Sequence, residues 1–417
     1  MLNWASRFDP CCYLDSNGYA NPPSSYECLV AAGATDALQA GAGAAFSLLR
    51  EFQQKKRDWI FGYLSYDLKN ELEALSSANP DGLGFPDLHF FCPGILVLLK
   101  PGELVIAIAG DRTEAARILE EIRESPDIPE VQVREAPFCS GLSDREYLDR
   151  VGSLQQHIRA GDCYEVNFCR EFHRTGHIPY PVSLFQVLNS RSPAPFAAYY
   201  RLGSRHLACA SPERFLRKTG QELLSQPIKG TAPRKSQASA DHDQFLQLLH
   251  SGKDRAENIM TVDLVRNDLS RAAAENSVQV DELCTIRSFA QVHQMISTVR
   301  CRIGPGVHFI DAIRYAFPMG SMTGAPKIRV MQLIESHETA RRGLFSGAVG
   351  YIDPQQDFDF NVVIRAIQYN AADGYLSFQS GSAITCRSVP ALELEECRLK
   401  AAVLAEVLQD SVIIPGG

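Results

Sequence analysis

Phe196-Ala-Ala-Tyr-Tyr-Arg-Leu-Gly-Ser-Arg-His-Leu-Ala-Cys-Ala-Ser-Pro-Glu-Arg-Phe215 carries two short runs, Phe196 to Tyr200 and His206 to Ala210, dense in aromatic and apolar residues. Both read as strands. Cys163 to Phe172 alternates in the same way, and Phe345 to Ile352, Asn361 to Tyr369 and Tyr375 to Ser380 follow downstream. Upstream, Trp59 to Tyr66, Phe90 to Leu99 and Leu104 to Ala109 read as strands of one sheet. Helical stretches separate these runs, so the pattern predicts an α+β or mixed-sheet fold.

The helices carry their own signals. Ser143 with Glu146 three residues on is a capping box, and Tyr147, Val151, Leu154 and Ile158 form the stripe behind it. Further helices are expected at Thr113 to Glu124, at Gln244 to Asn258 running on through Leu269, at His308 to Phe317 and at Pro326 to Glu335. The segment Ser125 to Leu142 is rich in proline and acids and reads as a connection. It divides the chain into an N-terminal region, 1–124, a connection, 125–142, and a larger region, 143–417.

Composition bounds the function classes. The 417 residues are 45% hydrophobic and 22% charged, ample for a large core. A formal charge of −8 disfavours nucleic acid as a partner. The 12 cysteines lack the short recurring spacing of zinc ligands and read as reduced thiols. With no secretory signal pattern and no apolar run of about 18 residues, a cytoplasmic protein without a membrane span is expected.

Several segments carry chemistry. Lys229 sits in Pro-Ile-Lys-Gly-Thr, an apolar turn pinned by proline. Neutralising an ordinary lysine at pH 7 costs about 4.6 kcal/mol, so a nucleophilic role requires burial or a neighbouring cation to lower its pKa. Glu213, after a buried run, suits a carboxyl whose pKa is raised and which donates a proton. Asp254 with Glu257, and Glu393 with Glu396, place carboxylates on shared helix faces, and hard oxygen ligands of that kind suit magnesium. Thr323 to Pro326 reads as a helix start and Ser380 to Ala383, with Gly381 and Ser382, as a loop; both offer backbone amides to an anion. Arg365, inside a strand-like run, is suited to grip a carboxylate.

Three of these motifs are also recognisable together. Asp263 to Arg271 (Asp-Leu-Val-Arg-Asn-Asp-Leu-Ser-Arg), Gly320 to Lys327 (Gly-Ser-Met-Thr-Gly-Ala-Pro-Lys) and Ser211 to Phe215 resemble the chorismate-utilising enzymes, the likeness spanning roughly residues 143 to 408. The resemblance implies large antiparallel or mixed sheets sandwiched with helices outside. Gly62 to Glu73 and Lys229 are similar to the aminodeoxychorismate-forming branch, which implies amination of chorismate at C4 for para-aminobenzoate and folate synthesis. In that reading Lys229 attacks C2, Glu213 is the general acid, and Glu257 and Glu396 hold Mg2+ with Asp254 and Glu393 outside them. Arg365 and Lys400 hold the enolpyruvyl carboxylate, and His293 and Thr323 line the ring pocket. Glu165 stands where isochorismate-forming relatives carry a lysine base and aminating relatives usually carry glutamine; Phe345 stands where tyrosine is common. Ammonia would come from a glutamine amidotransferase subunit. The rival readings are anthranilate formation and a catalytically idle chorismate or tryptophan sensor.

Overall fold

The computed structural model describes residues 1–19, 26–110, 112–129 and 138–408. Among the described residues nineteen strands are linked, through antiparallel pairings, into one continuous ribbon. The ribbon has two halves. One contains Glu165–Thr175, Tyr375–Thr385, Ala366–Asn370, Arg205–Ser211, Phe196–Leu202 and Cys11–Asp15 in successive pairing. The other contains Ile60–Leu64, Ala348–Ile352, Phe358–Asn361, Arg214–Thr219, Glu222–Gln226 and Val292–Arg302. The long strands Cys28–Ala40 and Leu88–Lys100 pair with each other and join the halves.

Side-chain alternation explains the layers. Ala198, Tyr200, Leu207 and Cys209 share an apolar cluster with Phe61, Tyr63 and Val349 from the other half. Their sequence neighbours Ala197, Tyr199, Ala208 and Ala210 point the opposite way, into a cluster built with the helices Asp144–Arg159 and Pro390–Val407. Likewise Ile60 and Leu64 turn to a third cluster with the helices Ala45–Lys56, Gly252–Ser270 and Phe309–Ala316. A period of two on each strand therefore yields two facing sheets with helices on both outer faces. The segment before residue 125 is woven into this sandwich, since Cys11–Asp15 pairs with Phe196–Leu202 and Ile60–Leu64 with Ala348–Ile352. Part of the expected connection, 130–137, lies outside the described residues.

Several expectations are corrected. The single helix expected from Gln244 is two, Ala238–His250 and Gly252–Ser270, because the Ser251 hydroxyl accepts the Asp254 amide and starts a new helix. The run Asn361 to Tyr369 is interrupted: strand ends at Asn361 and resumes at Ala366, with Arg365 in the left-handed region at φ +49. The Ser380 to Ala383 loop is instead the interior of strand Tyr375–Thr385. Of Thr323 to Pro326, read as a helix start, Pro326 is the N-cap of the helix Lys327–His337, while Gly324–Ala325 forms a short strand against Val166 and Glu165. The Ser143–Glu146 capping box is formed as read, and all twelve cysteines are free.

The Gly62 to Glu73 motif is scaffold. The Glu71 carboxylate accepts the amides of Gly43, Ala45 and Phe46, at 3.0, 2.6 and 3.1 Å, supplying the cap that the helix at Ala45 lacks from its own N-cap residue. Lys69, fully buried, donates to Ser77 at 2.6 Å and to Glu335 at 3.2 Å, with Asp67 at 3.7 Å. This ties the motif to the Lys327–His337 helix. Lys69→Met strands two carboxylates, so a stability loss on the order of 3 kcal/mol is expected. Urea unfolding measures it, and an unchanged midpoint would show that the network is energetically idle.

Candidate active site

Lys229 lies in the strand Ile228–Pro233, and it is buried. Its Nζ donates to Glu165 Oε1 at 2.7 Å, and among the described residues this is its sole ion pair. Burial opposes the ammonium, but Glu165, with Glu257 and Glu213 at longer range, outweighs it and raises the lysine pKa above the ordinary value. The expectation of a lowered pKa is therefore corrected: the neighbour is an anion, and the resting amine is charged. Glu165 is itself buried, and its Oε2 has no hydrogen-bond partner.

Gly230 follows Lys229 at φ +90, and a Cβ there would lie 2.8 Å from the Asp254 Cβ. Glycine thus lets the lysine turn press against the start of the Gly252–Ser270 helix, where Asp254 and Glu257 reside. Across the strand ends, Glu213 receives the Ile228 amide on its carboxylate. Burial pushes the Glu213 carboxyl up to about 7, while the Ser321 hydroxyl, the Lys229 charge and that amide pull the other way. Arg214 next door is no counter-ion for Glu213. It is held by both Asp359 oxygens at 2.9 Å and by Gln226 at 2.7 Å. A buried carboxyl that is protonated near neutrality can act as an acid.

The carboxylates of the two helices meet around Lys253. Its Nζ lies 3.3 Å from Glu393 and 3.9 Å from Glu257, with Glu396 also acting on it. Burial raises Glu257 to about 7 despite the opposing charge of Lys229. Burial also opposes ionisation of Glu396, but Lys400 at 2.7 Å outweighs it and lowers the carboxyl. Asp254 is engaged by the Ser251 hydroxyl as part of the helix cap. No group of three carboxylate, histidine or cysteine side chains is close enough to hold a metal ion among the described residues. Two buried oxygens, Glu257 Oε1 and Glu393 Oε2, nevertheless lack hydrogen-bond partners. Hard oxygen donors left in that state suit a divalent cation such as magnesium.

Other expected residues have varied fates. Arg365 is partly buried, desolvation lowers its pKa, and among the described residues its side chain makes no hydrogen bond or ion pair; its carbonyl accepts the Ala210 amide at 3.1 Å. Its left-handed backbone is unusual for a non-glycine residue and suits a fixed anion contact. Lys400 is exposed and also donates to the Gly381 carbonyl at 3.0 Å. Gly381 serves close strand approach, since a Cβ would lie 2.1 Å from the Phe168 carbonyl oxygen. Ser382 lies buried beside it. His293 is occupied within the protein, by Ser288 at 2.8 Å and Asp241 at 3.2 Å. The Thr323 hydroxyl donates to the Met319 carbonyl at 3.1 Å, and Phe345 packs in the apolar core.

The reading of separate motifs missed how they touch. Lys327 pairs with Asp268 at 2.6 Å, and a Cβ on Gly320 would lie 3.0 Å from the Leu264 Cβ, so the two longest motifs lock together. Ser321, which acts on Glu213, lies within the Gly320 to Lys327 motif but was not singled out by it. Arg342, buried against Glu338 and the Asn167 carbonyl, had no sequence signal.

A sequence profile of the family described as chorismate binding enzyme matches residues 9–406. The chain is 35% identical over 359 residues to anthranilate synthase component 1 of Thermus thermophilus, covering 84% of this chain and 77% of that protein. It is 32% identical over 361 residues to aminodeoxychorismate synthase component 1 of Bacillus subtilis, covering 84% and 76%. The Escherichia coli protein of the same name is 34% identical over 337 residues, covering 80% and 73%. The structure superimposes on anthranilate synthase component I from Streptococcus pneumoniae with a TM-score of 0.78 at 24% identity, covering 92% of each chain; at that identity the likeness is one of fold.

Glu213 gives a signed expectation. Its folded pKa of about 7 exceeds its ordinary 4.5, so its contribution to stability is present below 4.5 and lost as pH rises through 7. Glu213→Gln keeps the neutral form and should stabilise the protein at pH 8 by up to about 3 kcal/mol, with no gain at pH 4.5. Denaturation at both pH values checks this; an equal effect at the two would contradict it.

Proposed function

The chain belongs to the chorismate binding enzyme family, and on that premise we propose that it aminates chorismate at C4, giving 4-amino-4-deoxychorismate for para-aminobenzoate and folate synthesis. The observation that carries the choice among products is Lys229: a buried amine flanked by the Glu213 acid and two carboxylate-bearing helices. An amine so placed competes with water or ammonia for the ring, so amination at C2 is disfavoured.

The chain's residues divide the work. Lys229 Nζ bonds to C2; the ring double bonds shift, and the C4 hydroxyl leaves as water with the proton of Glu213. Ammonia then bonds to C4, the double bonds return and Lys229 departs. Arg365, without an internal partner, grips a substrate carboxylate together with Lys400. Glu257 and Glu396 would hold Mg2+, with Asp254 and Glu393 supporting them, and the bound ion would supply positive charge against an anionic substrate. Ammonia arrives from a glutamine amidotransferase subunit, and high ammonium replaces it.

Anthranilate formation is the second reading, favoured by the 35% identity to the Thermus thermophilus protein. Product analysis with chorismate, magnesium and ammonium separates the two: a 4-amino product supports the proposal, whereas an aminobenzoate released with pyruvate supports the alternative. No turnover under any condition would leave a chorismate or tryptophan sensor. Lys229→Ala is expected to lower 4-aminated product at least 100-fold at low ammonium, in line with losing a covalent nucleophile. Undiminished product would remove the covalent route.

A further inference from the structure

The proposed route acts on two ring positions together, Lys229 at C2 and the Glu213 acid at C4, so amine and acid must be held at a spacing that matches the ring. Their backbones are tied by the Ile228 amide on the Glu213 carboxylate. The reacting ends of the two side chains are steered from elsewhere. The Lys229 amine is gripped by Glu165, at the start of the strand Glu165–Thr175. The Glu213 carboxyl is acted on by Ser321, a buried residue in the turn Gly320–Met322.

Arg342 joins those two supports. It is buried, and its five guanidinium N–H groups meet five acceptors. Nε donates to Glu338 Oε2 at 2.9 Å, and Nη2 donates to Glu338 Oε1 at 2.6 Å and to the Asn167 carbonyl at 2.8 Å. Nη1 donates to the Met322 carbonyl at 2.7 Å and to the Ser346 hydroxyl at 3.2 Å. Met322 follows Ser321, and Asn167 lies two residues along the strand from Glu165. The same two segments are stitched further by Asn167, whose amide donates to the Thr323 carbonyl at 2.8 Å and whose side chain donates to the Met322 carbonyl at 3.3 Å. Glu338 closes the frame by accepting the Cys169 amide at 2.9 Å.

We propose that Arg342 is a positioning residue, which fixes the Met322 turn against the Glu165 strand and so sets the Lys229 amine and the Glu213 acid at their working separation. The inference rests on the C4 amination reading and deepens it. Stability does not account for such a residue, because buried ion pairs are often replaceable by apolar side chains without loss. Direction does account for it. A planar fork reaches a helix end, a strand and a turn at fixed angles, and neither an apolar side chain nor a lysine can do so.

Arg342→Lys keeps the charge but offers three donors from one point, so it cannot bridge Glu338, Asn167 and Met322 together. Steady-state turnover with chorismate, magnesium and ammonium, expressed per folded protein, gives kcat and KM. Intact mass in single turnovers at low ammonium gives the rate of Lys229 adduct formation, and urea unfolding gives stability. In Arg342→Lys, kcat and the adduct rate should fall together by at least about tenfold, while the KM for chorismate stays within about twofold. Lys69→Met, which breaks a buried network outside the pocket, is the comparator: its urea midpoint falls and its kcat per folded protein does not. An Arg342→Lys protein that behaves as Lys69→Met does, or that raises KM with kcat unchanged, overturns the inference. If Arg342→Lys fails to fold, Asn167→Ala takes its place, since it removes the second side-chain donor on the Met322 carbonyl and leaves the Arg342–Glu338 pair intact. A severalfold slower adduct in that variant supports the inference, and the parent's rate overturns it. A parent protein that makes no 4-amino product fails the functional reading, and the inference with it; a parent that makes it at a rate Arg342→Lys equals fails the inference alone.

Discussion

A single buried ion pair, Lys229 with Glu165, sets the terms for the rest of this structure. An ammonium taken out of water is expensive unless its partner is close and well aligned, and here the partner is 2.7 Å away. Once that pair is made, Glu213 has no ion pair among the described residues and Glu257 has only Lys253 at 3.9 Å, and burial raises both carboxyls to about 7. The raised pKa of Glu213 thus goes with the lysine being satisfied elsewhere. Had Glu213 taken the lysine, it would have been an ordinary ionised carboxylate.

Holding these groups together falls to backbone contacts that only glycine permits. Gly324 brings the Gly320 to Lys327 motif against Glu165, Gly381 brings a strand against Phe168, and Gly230 brings the lysine turn against Asp254. Each replaces a side chain's width by direct backbone approach. The Lys327–Asp268 pair and the contact of Gly320 with Leu264 then fix the helix that carries Glu257. Residues that look like binding elements in sequence are in good part the joints of this frame.

The strands and most helices were legible because alternation and capping are local. Ser143 with Glu146 needs only three residues to be read, and Phe196 to Ala210 carries its own two-sided pattern. What local pattern could not give was partnership across the chain. Glu165 stands 64 residues from Lys229, so a reading of the lysine turn alone called for burial or a cation and found the sign of the neighbour only in three dimensions. The same limit hid the breaks. Ser251 splits a helix whose two halves are each helical in pattern, and Arg365 leaves the strand region inside a run of apolar residues. A cap and a left-handed residue override periodicity because a single backbone group decides them.

The charge balance of the pocket finally constrains how an anion can enter it. Glu165, Glu213, Glu257, Glu393 and Glu396 gather there, against Lys229, Lys253, Lys400 and the unpaired Arg365. Lys229 and Lys400 are already committed to carboxylates at 2.7 Å each. A dianionic ring acid brought into this surplus of negative charge would be repelled unless protons or a cation came with it. The two carboxyls raised to about 7, Glu213 and Glu257, lessen that surplus when they hold protons.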